Sequence, residues 1–86
     1  MVCSVEISMY PLKENFKPSI IAFIKNLRKY PFIKVTTNGM STQVFGEYKR
    51  VMNSINTEME NTFLNENSVI FNLKVINSDL EEKPNF

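Results

Sequence analysis

The order of hydrophobic periodicities is the feature of this chain that most constrains its fold. Apolar and polar residues alternate over residues 3–10, and apolar residues recur at three- and four-residue steps over residues 20–27. Alternation is typical of a half-buried strand, whereas the longer steps indicate an amphipathic helix with one broad buried face. Pro18 suits the first position of that helix, and Pro31 ends it. The chain is therefore predicted to begin with a strand followed by a helix.

Both periodicities return in the remainder of the chain. Residues 33–37 alternate as a short strand, Asn38-Gly39 is a turn signal, and a return strand is predicted over about 41–46. Helical spacing then runs over 48–63, and residues 69–76 alternate again. This β-α-β-β-α-β order predicts an α+β, ferredoxin-like fold, in which a four-stranded antiparallel sheet carries two helices on one face. Strands one and three are expected at the centre of the sheet.

The length of the chain limits the number of domains. A chain of 86 residues with 43% hydrophobic content supports one compact domain with one core. We assign residues 1–77 to this domain and residues 78–86 to a polar C-terminal tail, which contains Pro84 and is expected to fray. A domain of this size has a narrow margin of stability, which assembly into a homo-oligomer would increase.

Charge and hydropathy argue against several classes of partner. The formal net charge is +1 and the 10 basic residues are scattered along the chain, so the basic surface of a nucleic-acid-binding protein is not expected. No apolar run approaches the ~20 residues that span a bilayer, and the N-terminus lacks the pattern of an export signal. The single cysteine, Cys3, cannot form an internal disulfide and is predicted to be an apolar filler. These features predict a cytoplasmic protein that binds neither nucleic acid nor membrane.

The two faces of the predicted sheet differ in character. One face is expected to pack under the helices through Val5, Ile7, Met9, Val35, Val44, Phe71 and Leu73. The other face, which we call the open face, is predicted to carry Glu6, Ser8, Tyr10, Thr36, Asn38, Gln43, Phe45 and Asn72. Aromatic residues mixed there with hydroxyls, amides and a carboxylate indicate a surface that another subunit covers, with polar pockets left inside.

The polar side chains favour binding over catalysis. The chain has no histidine, and strand one and the hairpin offer neither a nucleophile–base pair nor a metal-binding set. We therefore expect no enzymatic activity, no cofactor and no metal. An acylphosphatase-like site would need an arginine near the first loop, where this chain has residues 12–15, Leu-Lys-Glu-Asn. The predicted exposure of Tyr10 and Phe45 is compatible with RNA recognition, but the Glu6 carboxylate and the near-zero net charge oppose it.

Short motifs in the first strand and the hairpin carry a resemblance to a known family. The run from Glu6 to Leu12, followed by Asn38-Gly39-Met40-Ser41-Thr42 and then Gly46-Glu47, resembles the thiamine-binding protein family, also called YkoF-like. The likeness spans about residues 2–77. It implies a ferredoxin-like fold, assembly into a dimer or tetramer, and binding of thiamine or its hydroxymethylpyrimidine moiety without chemical transformation.

The resemblance also implies residues for the ligand site, placing the family's carboxylate and hydroxyl groups on Glu6, Ser8 and Thr42. An aminopyrimidine donates through its exocyclic amine and accepts through its ring nitrogens. Glu6 is therefore expected to accept from the amine, while hydroxyl and amide groups donate to the ring and an aromatic side chain stacks on it. The predicted ligand-binding residues are Glu6, Ser8, Tyr10, Asn38, Thr42, Gln43, Phe45 and Asn72.

Five of these residues also have a purely structural interpretation. Glu6 is compatible with a solvated charge on the sheet, Ser8, Thr42 and Asn72 with cross-strand contacts, and Asn38 with the hairpin turn. The main alternative for the whole chain is an oligomerisation or regulatory domain with no thiamine ligand, in which subunit contact consumes the open face. In either case the expected assembly is a homodimer or homotetramer through that face.

Overall fold

The structure has the element order that the hydrophobic periodicities predict. This computed structural model describes residues 1–82 and 84–86. Its elements are β1 (Val2–Pro11), α1 (Lys17–Leu27), β2 (Ile33–Thr37), β3 (Thr42–Glu47), α2 (Tyr48–Asn65) and β4 (Val69–Ile76). The strands form one antiparallel sheet, and both helices contribute to a single core on one side of it. The predicted α+β, ferredoxin-like fold is confirmed.

The sheet has the strand order β2-β3-β1-β4, with β1 and β3 at its centre as predicted. β1 pairs with β3 as far as Ile7↔Thr42, and with β4 as far as Pro11↔Val69. β1 therefore extends beyond β3 at its C-terminal end, so that residues 8–11 have β4 on one side and the hairpin turn near the other.

The core lies between the sheet and the two helices. Its buried members are Cys3, Val5, Ile7, Met9, Phe23, Leu27, Val44, Val51 and Ile55. Val35, Phe71 and Leu73 pack against them while partly exposed, so the strand residues predicted to face the helices do so. The buried face of α1 is narrower than its periodicity predicts, because Ile21 remains 50% exposed. Only one side of α1 can reach the sheet, and Ile21 lies outside that side.

The turn predicted at Asn38-Gly39 is built by the side chain of Asn38. Asn38 Oδ1 accepts hydrogen bonds from the backbone N–H groups of Met40 at 2.9 Å and Ser41 at 3.1 Å. The Asn38 N–H donates in turn to the Ser41 carbonyl oxygen at 3.1 Å. Because Ser41 closes the turn, β3 begins at Thr42, one residue later than predicted.

Carboxylates hold both ends of α2. Glu47 is its N-cap and accepts from the Arg50 backbone N–H at 3.1 Å, which lowers the pKa of the Glu47 carboxyl. Glu66, at the other end, accepts hydrogen bonds from Ser19 of α1 and from Lys13, whose Nζ lies 2.9 Å from Glu66 Oε2.

Within the described part of the chain, no helix is long and apolar enough to cross a membrane.

The first residues of the C-terminal tail make polar contacts with the sheet. The Ser4 hydroxyl donates to the carbonyl oxygen of Ser78 at 2.7 Å, and the Leu80 N–H donates to Ser4 Oγ at 2.8 Å. Glu81 forms an ion pair with Lys34 of β2. Composition does not reveal these contacts, because they are made by backbone groups and by charges that also suit a solvated tail. The first residues of the tail therefore lie against the open face of the sheet.

Candidate functional site

The open face presents its side chains in rows that run across the strands. One row, which we call the anchor row, consists of Ile76, Ser4, Phe45 and Lys34. The next row, the polar row, consists of Lys74, Glu6, Gln43 and Thr36. Beyond them lie the pairs Asn72–Ser8 and Ile70–Tyr10. Because side chains alternate between the faces of a strand, all these rows point away from the helices. The sequence predicts this for Glu6, Ser8, Tyr10, Gln43, Phe45 and Asn72.

A line of hydrogen bonds joins the polar row to the hairpin. The Ser41 hydroxyl donates to Glu6 Oε2 at 2.8 Å, and the Gln43 amide nitrogen donates to Ser41 Oγ at 2.8 Å. The other carboxylate oxygen, Glu6 Oε1, lies 3.6 Å from the ammonium nitrogen of Lys74. The Glu6 side chain is 44% exposed, so its carboxylate is oriented by neighbours yet open to a ligand.

A depression, which we call the open-face depression, lies between the anchor row and the polar row. Its volume is about 390 Å³, and the side chains around it are those of Ser4, Glu6, Gln43, Phe45, Lys74, Ile76 and Leu80. The carboxylate, amide and ammonium groups of the polar row line one side, while the Phe45 ring and the aliphatic side chains of Ile76 and Leu80 line the other. This combination suits a small, flat molecule that has both an apolar ring and polar edges.

A second, smaller depression lies at the end of the sheet where β1 extends beyond β3. We call it the end notch; its volume is about 180 Å³. Four of the predicted ligand residues line it, namely Ser8, Tyr10, Asn38 and Thr42. Apolar residues of α1 complete its lining. Glu6, Gln43 and Phe45 line the open-face depression instead. The candidate residues are thus divided between two places and do not form one cluster.

Thr42 lies on the opposite side of the sheet from Glu6. It pairs with Ile7 and shares the helix-facing side of that residue, with only 6% of its surface exposed. Its hydroxyl lies 3.0 Å from the Thr37 hydroxyl, an interaction within the hairpin. Neighbouring residues on a strand point to opposite faces, so Thr42 and Gln43 cannot both contact one ligand on the open face.

Two amide candidates also stand apart from the open-face depression. The Asn38 side chain is engaged by the backbone of its own turn, which matches the structural interpretation of that residue. Asn72 lies on β4, where it pairs with Ser8 of β1, and its side chain is exposed. Asn72 lines neither depression. Tyr10 is 51% exposed beside Ile70, at the far end of the open face from the anchor row.

The prediction omits Ser4 and Lys74, which line the open-face depression, and also Ser41, which orients two of its polar groups. Ser41 contacts both Glu6 and Gln43, yet it belongs to the turn and not to a strand. A signal for it exists in the sequence, since Ser41 precedes Gln43 by two residues and an extended return strand would put both on one face. The resemblance places the ligand-binding hydroxyl after the turn on Thr42, which is the neighbour of Ser41 that faces the core.

The titratable groups of the described residues do not form a metal site. In residues 1–82 and 84–86, no three side chains of His, Cys, Asp or Glu are grouped to hold a metal ion. Cys3 is 1% exposed, and burial raises the pKa of its thiol, which keeps it protonated at neutral pH. What the open-face depression offers to a ligand is therefore one carboxylate, hydrogen-bonding groups and apolar contact.

Solved structures of other proteins share this fold. A hypothetical protein from Methanocaldococcus jannascii is 21% identical, with a TM-score of 0.76 over 98% of this chain and 88% of that one. A Thermotoga maritima protein, described provisionally as a thiamine biosynthesis/salvage protein, is 17% identical, with a TM-score of 0.76 over 87% of this chain and 82% of that one. A domain of unknown function from Bacillus cereus, DUF77, is 11% identical, with a TM-score of 0.74 over 91% of this chain and 77% of that one.

These likenesses show the fold alone, because the sequence identities are low. No protein-family model matches the sequence, and no curated protein matches it.

Proposed function

We propose that this protein binds thiamine or its hydroxymethylpyrimidine moiety, without a cofactor and without transforming the ligand, in vitamin B1 salvage, delivery or sensing in the cytoplasm. The observation that carries the proposal is the half-exposed Glu6 carboxylate, held by Ser41 beside the Gln43 amide at the edge of an apolar depression. A carboxylate next to an amide matches the amine and ring nitrogen along one edge of an aminopyrimidine.

The ligand is assigned to the open-face depression. Glu6 accepts from the exocyclic amine, and the Gln43 amide, whose second N–H is not used by Ser41, donates to the neighbouring ring nitrogen. The Phe45 ring and the aliphatic side chains of Ile76 and Leu80 contact the ring face. An active site is not favoured here, since a general base at neutral pH is usually a histidine and the chain has none.

The experiment is isothermal titration calorimetry of the full chain with thiamine and, separately, with hydroxymethylpyrimidine. Saturable binding near one ligand per chain is expected. Glu6→Gln keeps the shape of the side chain but removes its charge, and it should weaken binding by about 1.5–3 kcal/mol, the range for a hydrogen bond to a charged group. Glu60→Gln, on the exposed side of α2, is the matched control and should bind like the natural protein.

Two outcomes would contradict the proposal at different levels. If neither ligand binds a folded protein, the proposed function is wrong. If both bind and Glu6→Gln has the affinity of the control variant, the function stands but the carboxylate is not part of the site.

A second candidate function, assembly through the open face, is favoured by a separate observation. Tyr10 is 51% exposed and Ile70 is 52% exposed, and the two residues pair across β1 and β4. Large apolar side chains that adjoin each other on a sheet face are typical of a contact surface. We propose a homodimer or homotetramer formed through this end of the open face; it is compatible with a ligand at the other end.

A further inference from the structure

We propose that the segment Ser78–Glu81, which we call the strap, is a movable wall of the open-face depression that closes on the ligand. This inference rests on the proposed function, since it concerns how the same depression holds and releases its ligand. Its basis is the position of the strap, the small number of contacts that hold it, and the side chain that it presents to the depression.

The strap follows the anchor row across the sheet. It leaves the end of β4 at Ile76, is fastened over β1 by Ser4, and reaches Lys34 on the opposite edge strand, β2. Ser4 is only 6% exposed although it lies on the open face. The strap therefore covers Ser4 in the middle of the anchor row, while Ile76 of that row is 44% exposed and the Glu6 side chain of the adjacent polar row is also 44% exposed.

Few interactions fasten the strap. The Ser4 hydroxyl makes both central hydrogen bonds, donating to the Ser78 carbonyl oxygen at 2.7 Å and accepting from the Leu80 N–H at 2.8 Å. The other described polar link to the sheet is the Lys34–Glu81 ion pair, whose lysine side chain is 62% exposed. Exposed ion pairs contribute little to stability. A segment held in this way can open without unfolding the sheet beneath it.

Leu80 is the side chain that the strap presents to the depression. Its backbone N–H is fixed by Ser4, while its side chain lines the depression beside Phe45 and Ile76 and is 58% exposed. An exposed leucine next to a cavity gains apolar burial when a ring occupies that cavity. The bound ligand should therefore favour the closed strap, and the closed strap should slow ligand release.

The test uses backbone amide hydrogen exchange at Leu80, measured by NMR on the full chain, with hydroxymethylpyrimidine as the probe. Ser4→Ala removes the group that makes both central hydrogen bonds, so the Leu80 amide should exchange at least about tenfold faster without ligand. The affinity for the probe should fall by about three- to tenfold, mainly through faster dissociation. Ser68→Ala, an exposed serine away from the open face, is the matched control and should change neither quantity.

A second variant tests the wall directly. Leu80→Ser leaves the backbone hydrogen bond to Ser4 possible, so exchange at residue 80 should stay slow while the affinity for the probe falls by about three- to tenfold. Addition of the probe to the natural protein should slow exchange at Leu80 further.

The possible failures are distinguishable. If the probe binds, but neither Ser4→Ala nor Leu80→Ser changes the affinity and ligand leaves exchange at Leu80 unchanged, the strap proposal is overturned while the proposed function stands. If the probe and thiamine both fail to bind a folded protein, the proposed function is wrong and the strap is not a ligand gate. Protection of the Leu80 amide in that case would identify it as a structural contact only.

Discussion

Ser41 determines how the Glu6 carboxylate is presented on the open face. Its hydroxyl donates to Glu6 Oε2 and accepts from the Gln43 amide, so this one hydroxyl orients two groups of the site. Within the described residues, the other oxygen, Oε1, forms one ion pair, with the ammonium group of Lys74. The Lys74 side chain is 83% exposed. Such an exposed pair is weak, and we assign Oε1 to the amine of the ligand. Asn38 builds the turn that positions Ser41, so it acts on the site by positioning Ser41 and not by contacting the ligand.

Gly46 is the residue whose backbone conformation most limits substitution. Its φ of 154° is one that other residues rarely adopt, and an added Cβ would lie 3.2 Å from the Phe32 carbonyl oxygen and 3.2 Å from Val51 Cγ2. Gly46→Ala should therefore lower the free energy of unfolding by about 1–3 kcal/mol. Urea denaturation followed by circular dichroism measures this change.

Gly39 supplies the control for that prediction. It lies at the tip of the hairpin, where a Cβ would meet nothing within 4 Å. Gly39→Ala should leave the free energy of unfolding within about 1 kcal/mol of that of the natural protein. Equal losses in the two variants would show that backbone conformation and close packing are not what require glycine at position 46.

At the scale of elements, Glu66 ties the ends of three of them together. At the C-terminal end of α2, its carboxylate accepts from Ser19 of α1 and from Lys13, which follows β1. The hydrogen bond from Ser19, and then that from Lys13, lower the pKa of the Glu66 carboxyl. Since the folded pKa lies below the unfolded value of ~4.3, the link stabilises the fold above that pH. Its contribution is lost as the pH falls through the lowered pKa.

We predict that Ser19→Ala raises the pKa of Glu66 toward its ordinary value, because the largest cause of the lowering is removed. The remaining Lys13 contact should keep the pKa from rising fully. NMR titration of the side-chain carboxyl carbon measures the change, and Glu60, an exposed residue on α2, provides the reference within the same spectrum. A Glu66 pKa that is the same with and without the serine would show that Ser19 does not contact the carboxylate in solution.

The sequence predicts elements of this protein better than it predicts the site. Alternation of residues such as Val5 and Ile7 sets both the existence of a strand and the face it buries, because both depend only on local periodicity. The site depends on cross-strand register and on the exact residue at which the hairpin turns. A shift of one residue there places the Ser41 hydroxyl, and not the predicted ligand-binding hydroxyl of Thr42, beside Glu6. The strap depends on hydrogen bonds between the Ser4 hydroxyl and the backbone groups of Ser78 and Leu80, which no periodicity signals.

At the scale of the whole molecule, the open face has two ends with different surroundings. The strap covers Ser4 of the anchor row at one end, and the open-face depression lies beside it. The pair Tyr10 and Ile70 lies at the other end and is half exposed. Ligand binding and subunit contact therefore need not compete for the same part of the sheet, which allows the two proposed functions to coexist.

This division predicts that one substitution separates assembly from binding. Ile70→Lys places a charge at the exposed apolar end of the open face, away from the residues that line the open-face depression. If subunits meet there, burying an unpaired lysine opposes association, so light scattering should show a shift toward the mass of a single chain. Ile21→Lys is the matched control, because Ile21 on α1 is 50% exposed and Ile70 is 52% exposed, yet they lie on opposite sides of the sheet. A natural protein that already has the mass of one chain, or equal dissociation by both variants, would show that this end of the open face is not the contact surface. Calorimetry on the Ile70→Lys variant then completes the test, since retained ligand affinity in a single chain would show that the open-face depression needs no second subunit.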